Sequence, residues 1–261
     1  MNHVIRTETS KKTASCKKTA TGFSAFVPCG TLFVPKEGQS DEPAARLQHE
    51  IERLSRRRTY RAGDTIISEG ESMDFVGRVA SGVLRVQRTM PDGRQQIVGL
   101  LFPSDEFGRV FSRNGHFAVE AATDASVCCF ERKQMERLLL DHPVLEHQMY
   151  LSALDQLDKA RDWMVVLRAH TVPGRIAGFL QLLSQRQSIS DDPYLAGLAN
   201  GSGARLVEIP ISRRDIAACL GTTVESLCRT LRKMEDEHVI RKRTKRYIEI
   251  LDMQKLSEME G

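Results

Sequence analysis

Glu225 and Arg229 sit four residues apart in the stretch Thr222-Thr-Val-Glu-Ser-Leu-Cys-Arg-Thr-Leu-Arg232. On a helix that spacing places both on one face. An exposed carboxylate and guanidinium one turn apart can read base edges in a major groove. Arginine donates two bonds to guanine O6 and N7, and glutamate accepts from a cytosine amino group. Val224, Leu227, Leu231 and Met234 recur at helical spacing and are expected to pack inward, with Glu225, Cys228, Arg229 and Arg232 facing out. Upstream, Ser212 reads as an N-cap with an acidic partner, Asp215, three residues on, starting a first helix over 213–220. Gly221 supplies the turn between the helices, where a positive φ is cheap only for glycine. Thr222 or Thr223 caps the second helix. Val239-Ile240 and Tyr247-Ile-Glu-Ile250 then read as strands around the basic turn Arg241-Lys-Arg-Thr-Lys-Arg246, whose charges suit phosphate contacts. The candidate DNA-contacting residues are Ser212, Arg213, Thr223, Val224, Glu225, Cys228, Arg229, Arg232, Lys242 and Arg243. A merely solvated helical hairpin is the plainer reading. The turn glycine, the two caps, the apolar–polar split and the basic wing together weigh against it.

Cysteine is the other residue type with chemistry to offer, and the chain has six. Cys228 lies beside Arg229 on the presumed DNA face. Oxidation there would add bulk or charge where base edges must fit, which makes Cys228 a candidate redox switch. The alternative is a small residue tolerated in place of serine. Cys128 and Cys129 are neighbours in a strand-like run and should point to opposite faces, where both fit as small core residues. Cys16 and Cys29 fall in a polar N-terminal arm. No nucleophile–base pair, phosphate-binding glycine loop or metal-ligand spacing is present and the histidines are scattered, so no enzymatic activity is expected.

These side chains need a scaffold, and the chain divides by texture. Residues 1–42, rich in Lys, Thr, Ser, Gly and Pro, read as a flexible arm. A short amphipathic helix is expected over 43–55, with Leu47, Ile51 and Leu54 on one side. From Arg58 to Phe130 short apolar runs alternate with turn pairs such as Gly63-Asp64, Ser81-Gly82 and Asp92-Gly93. That pattern predicts an antiparallel sandwich or barrel, with a hairpin at Asp92-Gly93. This sensor domain is assigned to residues 43–142.

A helical texture starts near Lys133 and runs on past Pro143. Within it Tyr150, Ala153, Leu157, Ala160, Met164 and Leu167 follow steps of three and four, the seam of a coiled coil. The narrow seam and its charged flanks predict a partner helix, most simply from a second copy. The expected layout is α+β. An N-terminal antiparallel β-roll precedes a long dimerisation helix over 143–170, a winged helix-turn-helix over 171–252 and a tail over 253–261.

Bulk properties agree with this layout. The 261 residues carry a formal net charge of +4, with 41% hydrophobic and 28% charged positions. No apolar run reaches the roughly 20 residues that span a bilayer, and the charged N-terminus lacks the apolar core of a secretory signal. A cytoplasmic protein without membrane association is expected, its cysteines thiols, ligands or redox switches and not structural disulfides.

Over roughly residues 45 to 252 the sequence resembles the Crp/Fnr superfamily. The segments that carry the likeness are Arg61-Ala-Gly-Asp64, Ser81-Gly-Val-Leu84, Asp92-Gly-Arg-Gln-Gln-Ile97, Ser212-Arg-Arg-Asp-Ile-Ala217 and Leu220-Gly-Thr-Thr-Val-Glu-Ser-Leu-Cys-Arg229. The likeness is strongest to the Fnr/FixK branch of oxygen-response regulators. It implies a cyclic-nucleotide-binding-like β-roll and base contacts by Glu225 and Arg229. It also implies palindromic operators with half-sites like TTGAT, and activation through contact with RNA polymerase.

The effector stays open. The cyclic-nucleotide branch has an acidic ribose contact and an Arg-Ser phosphate pair. Here Arg109 replaces the first, and the second is absent from the matching stretch His116-Phe-Ala-Val-Glu120, which argues against cyclic AMP. The oxygen-sensing branch holds a [4Fe-4S] cluster. Cys16, Cys29 and Cys128 are its candidate ligands here, short of the four thiolates normally needed. A cofactor-free FixK-like regulator and a β-roll binding another small molecule are the remaining readings.

Overall fold

The computed structural model describes residues 42–186 and 205–260, apart from positions 92, 94, 113 and 114. The arm bearing Cys16 and Cys29, and Asp92 of the expected hairpin pair, lie outside the described residues.

Helix α1 (Glu42–Leu54) opens the described chain. Its fully buried Ile51 packs with the half-buried Leu47 and Leu54 on the β-roll. Eight strands follow: β1 (Arg56–Tyr60), β2 (Thr65–Ile67), β3 (Phe75–Ser81), β4 (Leu84–Thr89), β5 (Gln95–Leu101), β6 (Glu106–Phe107), β7 (Ala118–Ala121) and β8 (Ala125–Glu131). They form two antiparallel four-stranded sheets, ordered β1-β8-β3-β6 and β2-β7-β4-β5. Strand β8 shows how sequence alternation becomes layering. Val127 and Cys129 point between the sheets with Val79, Leu84 and Phe107. Cys128 and Phe130 point outward, under α1 and the following helix, with Ile51, Val76 and Met135. The two neighbouring cysteines therefore lie on opposite faces, as the strand period requires.

Helix α2 (Arg132–Asp141) and helix α3 (Pro143–Arg168) are separate. The sequence texture suggested continuity past Pro143, but His142 adopts φ −130°, ψ 86°. A residue preceding proline is excluded from the helical region, and Pro143 opens the new helix where its missing N–H costs nothing. Helix α3 then has two distinct faces. Leu145, Met149, Ser152, Gln156, Lys159, Trp163 and Val166 are buried or half-buried against the rest of the chain. Ser152 donates to Glu106, and Lys159 to the buried Asp105 at 2.6 Å. The other face carries Tyr150, Ala153, Leu157, Ala160, Met164 and Leu167, all exposed, with Tyr150 at 61% and Met164 at 70%.

The C-terminal unit comprises α4 (Val172–Arg186), β9 (Arg205–Glu208), α5 (Arg213–Cys219), α6 (Val224–Asp236), β10 (Ile240–Lys242), β11 (Tyr247–Ile250) and α7 (Met253–Glu260). Its antiparallel sheet is ordered β10-β11-β9. Ile176, Phe179, Leu183, Leu220, Leu227, Leu231 and Met234 form its core, and Trp163 of α3 stacks on Phe179 at 5.8 Å. Residues 253–260, expected as a tail, are instead a helix packed against α4, with Leu256 fully buried in that core. Val83, Ile97, Leu100 and Phe102 of the β-roll join the same core, so the two halves meet through an apolar joint.

Candidate nucleic-acid interface

The two caps form as the sequence suggests. Ser212 accepts from the Asp215 N–H at 3.1 Å and its hydroxyl donates to the Asp215 carboxylate at 2.7 Å. Thr223, the cap of α6, accepts from the Ser226 N–H at 3.2 Å. Such caps are worth roughly 1 kcal/mol each and set where each helix starts. Gly221 between the helices has φ +59°, the left-handed value that suits glycine.

Helix α6 then divides by burial. Leu227, Thr230, Leu231 and Met234 face the core. Val224, Glu225, Arg229 and Arg232 are exposed and Cys228 half-exposed. Val224 departs from its inward expectation: it is 36% exposed because it opens the helix, one turn ahead of the first core contact. It thereby joins the outward set. Glu225 is fully exposed, and its carboxyl lies below the usual range through hydrogen bonds to its own backbone N–H and to Thr223. It is therefore an anion, and only an acceptor, at neutral pH. Among the described residues Arg229 and Arg232 make no ion pair, so both guanidinium groups are available to a ligand. Arg213 and Ser212 are exposed at the start of α5, and the Arg213 guanidinium donates to the Cys228 sulfur at 3.2 Å.

The wing differs from its sequence reading. Lys242 is bound to Glu235 at 2.9 Å, and Arg243 to Glu249 at 2.8 Å. Arg246 pairs with Glu208 at 2.7 Å and Arg241 with Glu249 at 3.6 Å. Glu208 and Glu249 are each 1% exposed. The basic turn is thus largely anchored to carboxylates beneath it, and Lys245 at the tip is the exposed lysine outside these pairs. Alternation in β9 and β11 gave no hint that two glutamates would be buried there. Replacing Arg243 with Ala is expected to lower the stability of the folded chain by about 1–2 kcal/mol. That is below the full value of a broken buried pair, because Arg241 shares the carboxylate. Chemical denaturation checks this, and an unchanged midpoint would show that the pair is dispensable.

The remaining cysteines are placed by burial. Desolvation pushes the Cys129 thiol up to about 11 and, with the nearby Asp215, that of Cys219 to about 12. Both stay protonated and unreactive at neutral pH. Cys128 is fully buried and disulfide-bonded, where a thiol, a ligand or a redox switch and no structural disulfide was expected. No group of three metal-ligating side chains occurs among the described residues, and the candidate ligands Cys16 and Cys29 lie outside them. A cavity of about 470 Å³ lies between β3, the 106–112 segment, α2 and α3. Arg78 on its wall is engaged by Glu106 and the Ser104 carbonyl, while His116 and Phe117 are turned to solvent.

Fold and site together define a winged helix-turn-helix protein of the transcription-regulator class, with a β-roll ahead of its DNA-binding unit. Residues 174–259 match the Crp-like helix-turn-helix domain and residues 57–142 the cyclic nucleotide-binding domain. The transcriptional activator FnrL of Cereibacter sphaeroides is 34% identical over 211 residues, covering 81% of this chain and 83% of that protein. The nitrogen fixation regulation protein FixK of Bradyrhizobium diazoefficiens is 34% identical over 192 residues, covering 74% and 76%. The solved structure of FixK2 from Bradyrhizobium japonicum superposes with a TM-score of 0.68 at 26% identity, covering 80% of this chain and 98% of that one. The chain belongs to the Crp/Fnr family of transcription regulators. No described helix is long and apolar enough to cross a membrane.

Proposed function

We propose that this protein is a homodimeric transcription activator of the Fnr/FixK type. It binds palindromic DNA in the cytoplasm through α6, contacts RNA polymerase and serves an oxygen or redox response. The observation that carries the reading is the exposed Glu225–Arg229 pair on a capped helix whose opposite face is locked in the core. Glu225 and Arg229 read base edges, and Val224, Thr223, Cys228 and Arg232 border them. Ser212 and Arg213 meet the backbone, and Lys242 and Arg243, neutralised in place, shape the wing more than they attract phosphate. The uncovered seam of α3 joins two copies. Methylation interference on a duplex with two TTGAT half-sites tests the groove assignment. Interference at the half-site guanines on one side of the duplex is expected, and protection without interference at any base would overturn base reading.

A second reading is favoured by the cavity beside α3, whose wall includes the seam residues Tyr150 and Ala153. A small molecule seated there would act directly on the seam. The absorption spectrum of the anaerobic protein, with iron and sulfide analysis, distinguishes the sources of control. A colourless protein is expected, and a brown one with stoichiometric iron would restore the cluster.

Cys228 offers a redox input of its own, because its half-exposed sulfur lies among the reading residues and against Arg213. Peroxide is expected to lower operator affinity of the wild type by about tenfold and to spare Cys228→Ser, since an added oxyacid crowds the base edges. Equal loss in both proteins, or no loss, would remove Cys228 from the response.

A further inference from the structure

We propose that Arg85 is a positioning residue for DNA binding: from strand β4 of the β-roll it grips Asp215 at the start of α5 and fixes the angle of the reading unit. This rests on the dimeric, palindrome-binding reading above. The Arg85 guanidinium is a two-ended clamp. One Nη donates to Asp215 at 2.6 Å and the other to Glu120 at 2.5 Å. Glu120 is the cross-strand partner of Arg85 on β7, and Gln87 donates to its second oxygen. Asp215 is 7% exposed, and its second oxygen is occupied by the Ser212 hydroxyl. The carboxylate that caps the helix-turn-helix is thus the one the β-roll holds. Burial works against the charge on Arg85, but the hydrogen bonds and charges of Glu120 and Asp215 outweigh it and raise its pKa.

The geometry gives this clamp a specific task. A palindromic site needs two recognition helices about 34 Å apart, one DNA turn. The seam on α3 sets where the two copies meet, so the angle between α3 and the reading unit decides that distance. Between α3 and α4 the backbone leaves the helix at Ala169, with φ −55° and ψ 125°. A joint of this length cannot hold an angle unaided. The apolar contacts of Val83, Ile97, Leu100 and Phe102 hold the halves together but, being non-directional, permit sliding. The charge-assisted hydrogen bonds from Arg85 to Asp215 and Glu120 are directional. Glu225 and Arg229 are exposed in the docked arrangement, so docking leaves the reading face open.

The test measures affinity of the full chain for duplexes bearing one TTGAT half-site, two at one-turn spacing, and two with two extra base pairs between them. Arg85→Met is expected to weaken binding to the one-turn palindrome by on the order of tenfold, the scale of such couplings. Its single-site affinity should stay that of the wild type, and its preference for correct spacing should shrink by a similar factor. Arg85→Lys, which keeps one ion pair, should recover part of the preference. Asp215→Asn should add little in the Arg85→Met background. Wild-type spacing preference in Arg85→Met, or an equal loss on single and paired sites, would overturn the proposal. If Arg85→Met fails to fold, Arg85→Gln, which keeps a polar side chain but removes the charge that holds Asp215, is measured in the same way. A reduced spacing preference supports the clamp, and an unchanged one overturns it. A wild-type chain indifferent to the second half-site would instead defeat the dimeric reading.

Discussion

Replacing Ala160 with Asp is expected to convert the dimer to monomer at micromolar concentration and to abolish tight operator binding. Ala160 lies mid-seam, exposed, between Leu157 and Met164 on α3. Across a two-fold axis one aspartate becomes two, facing each other. At a separation near 4 Å and an effective dielectric of about 20, two like charges repel by about 4 kcal/mol before salt reduces it. That is several hundredfold in a dimer dissociation constant. The native acids do not do this. Asp158 is exposed to the side of the seam and paired with Arg161 at 2.8 Å. An uncharged seam should also keep the wild type dimeric in air as well as without oxygen. Sedimentation of wild type and Ala160→Asp, each with and without reductant, measures both points. A wild type that is monomeric in air and dimerises only anaerobically would contradict the seam account.

Replacing Arg229 with Ala is expected to cost roughly 1–3 kcal/mol of operator affinity per half-site and to relax base preference at one position of each. Both half-sites lose the contact in a symmetric complex, so the loss is felt twice. The substitution should leave folding untouched, because Arg229 is exposed and makes no ion pair among the described residues. Competition binding against duplexes substituted one position at a time separates this from a loss of phosphate contact, which would weaken all sequences alike. An Arg229→Ala protein with wild-type affinity and selectivity would mean that another face of the unit enters the groove.

Most of the reading unit was legible because its signals are local. Ser212, Gly221, Thr223 and the apolar spacing from Leu227 to Met234 each act within a few residues, and each took the conformation its chemistry favours. The exposed apolar face of α3, from Tyr150 to Leu167, was legible for the same reason. Pro143 was a local signal too, but helical texture on both sides masked the break that it forces. Val224 was misassigned because periodicity ignores the end of a helix. The wing failed for a different reason. A basic run reads as solvated charge until the buried Glu208 and Glu249 are placed beneath it, and only the strand register places them. The Arg85–Asp215 clamp joins residues 130 positions apart, and no short-range pattern announces such a pair. Strand β1 escaped notice because its Arg56-Arg-Arg-Thr-Tyr60 run lies at a sheet edge and shows little apolar alternation.

The central claim is that two copies read a palindrome through α6. Its most direct test is a titration of the purified chain against a duplex with two TTGAT half-sites one turn apart, competed by the same duplex with both half-sites scrambled. The account predicts saturation at two chains per duplex and a preference for the palindrome of about a thousandfold or more, the range of specific over non-specific binding. Equal affinity for the two duplexes, or saturation at one chain per duplex, would contradict it.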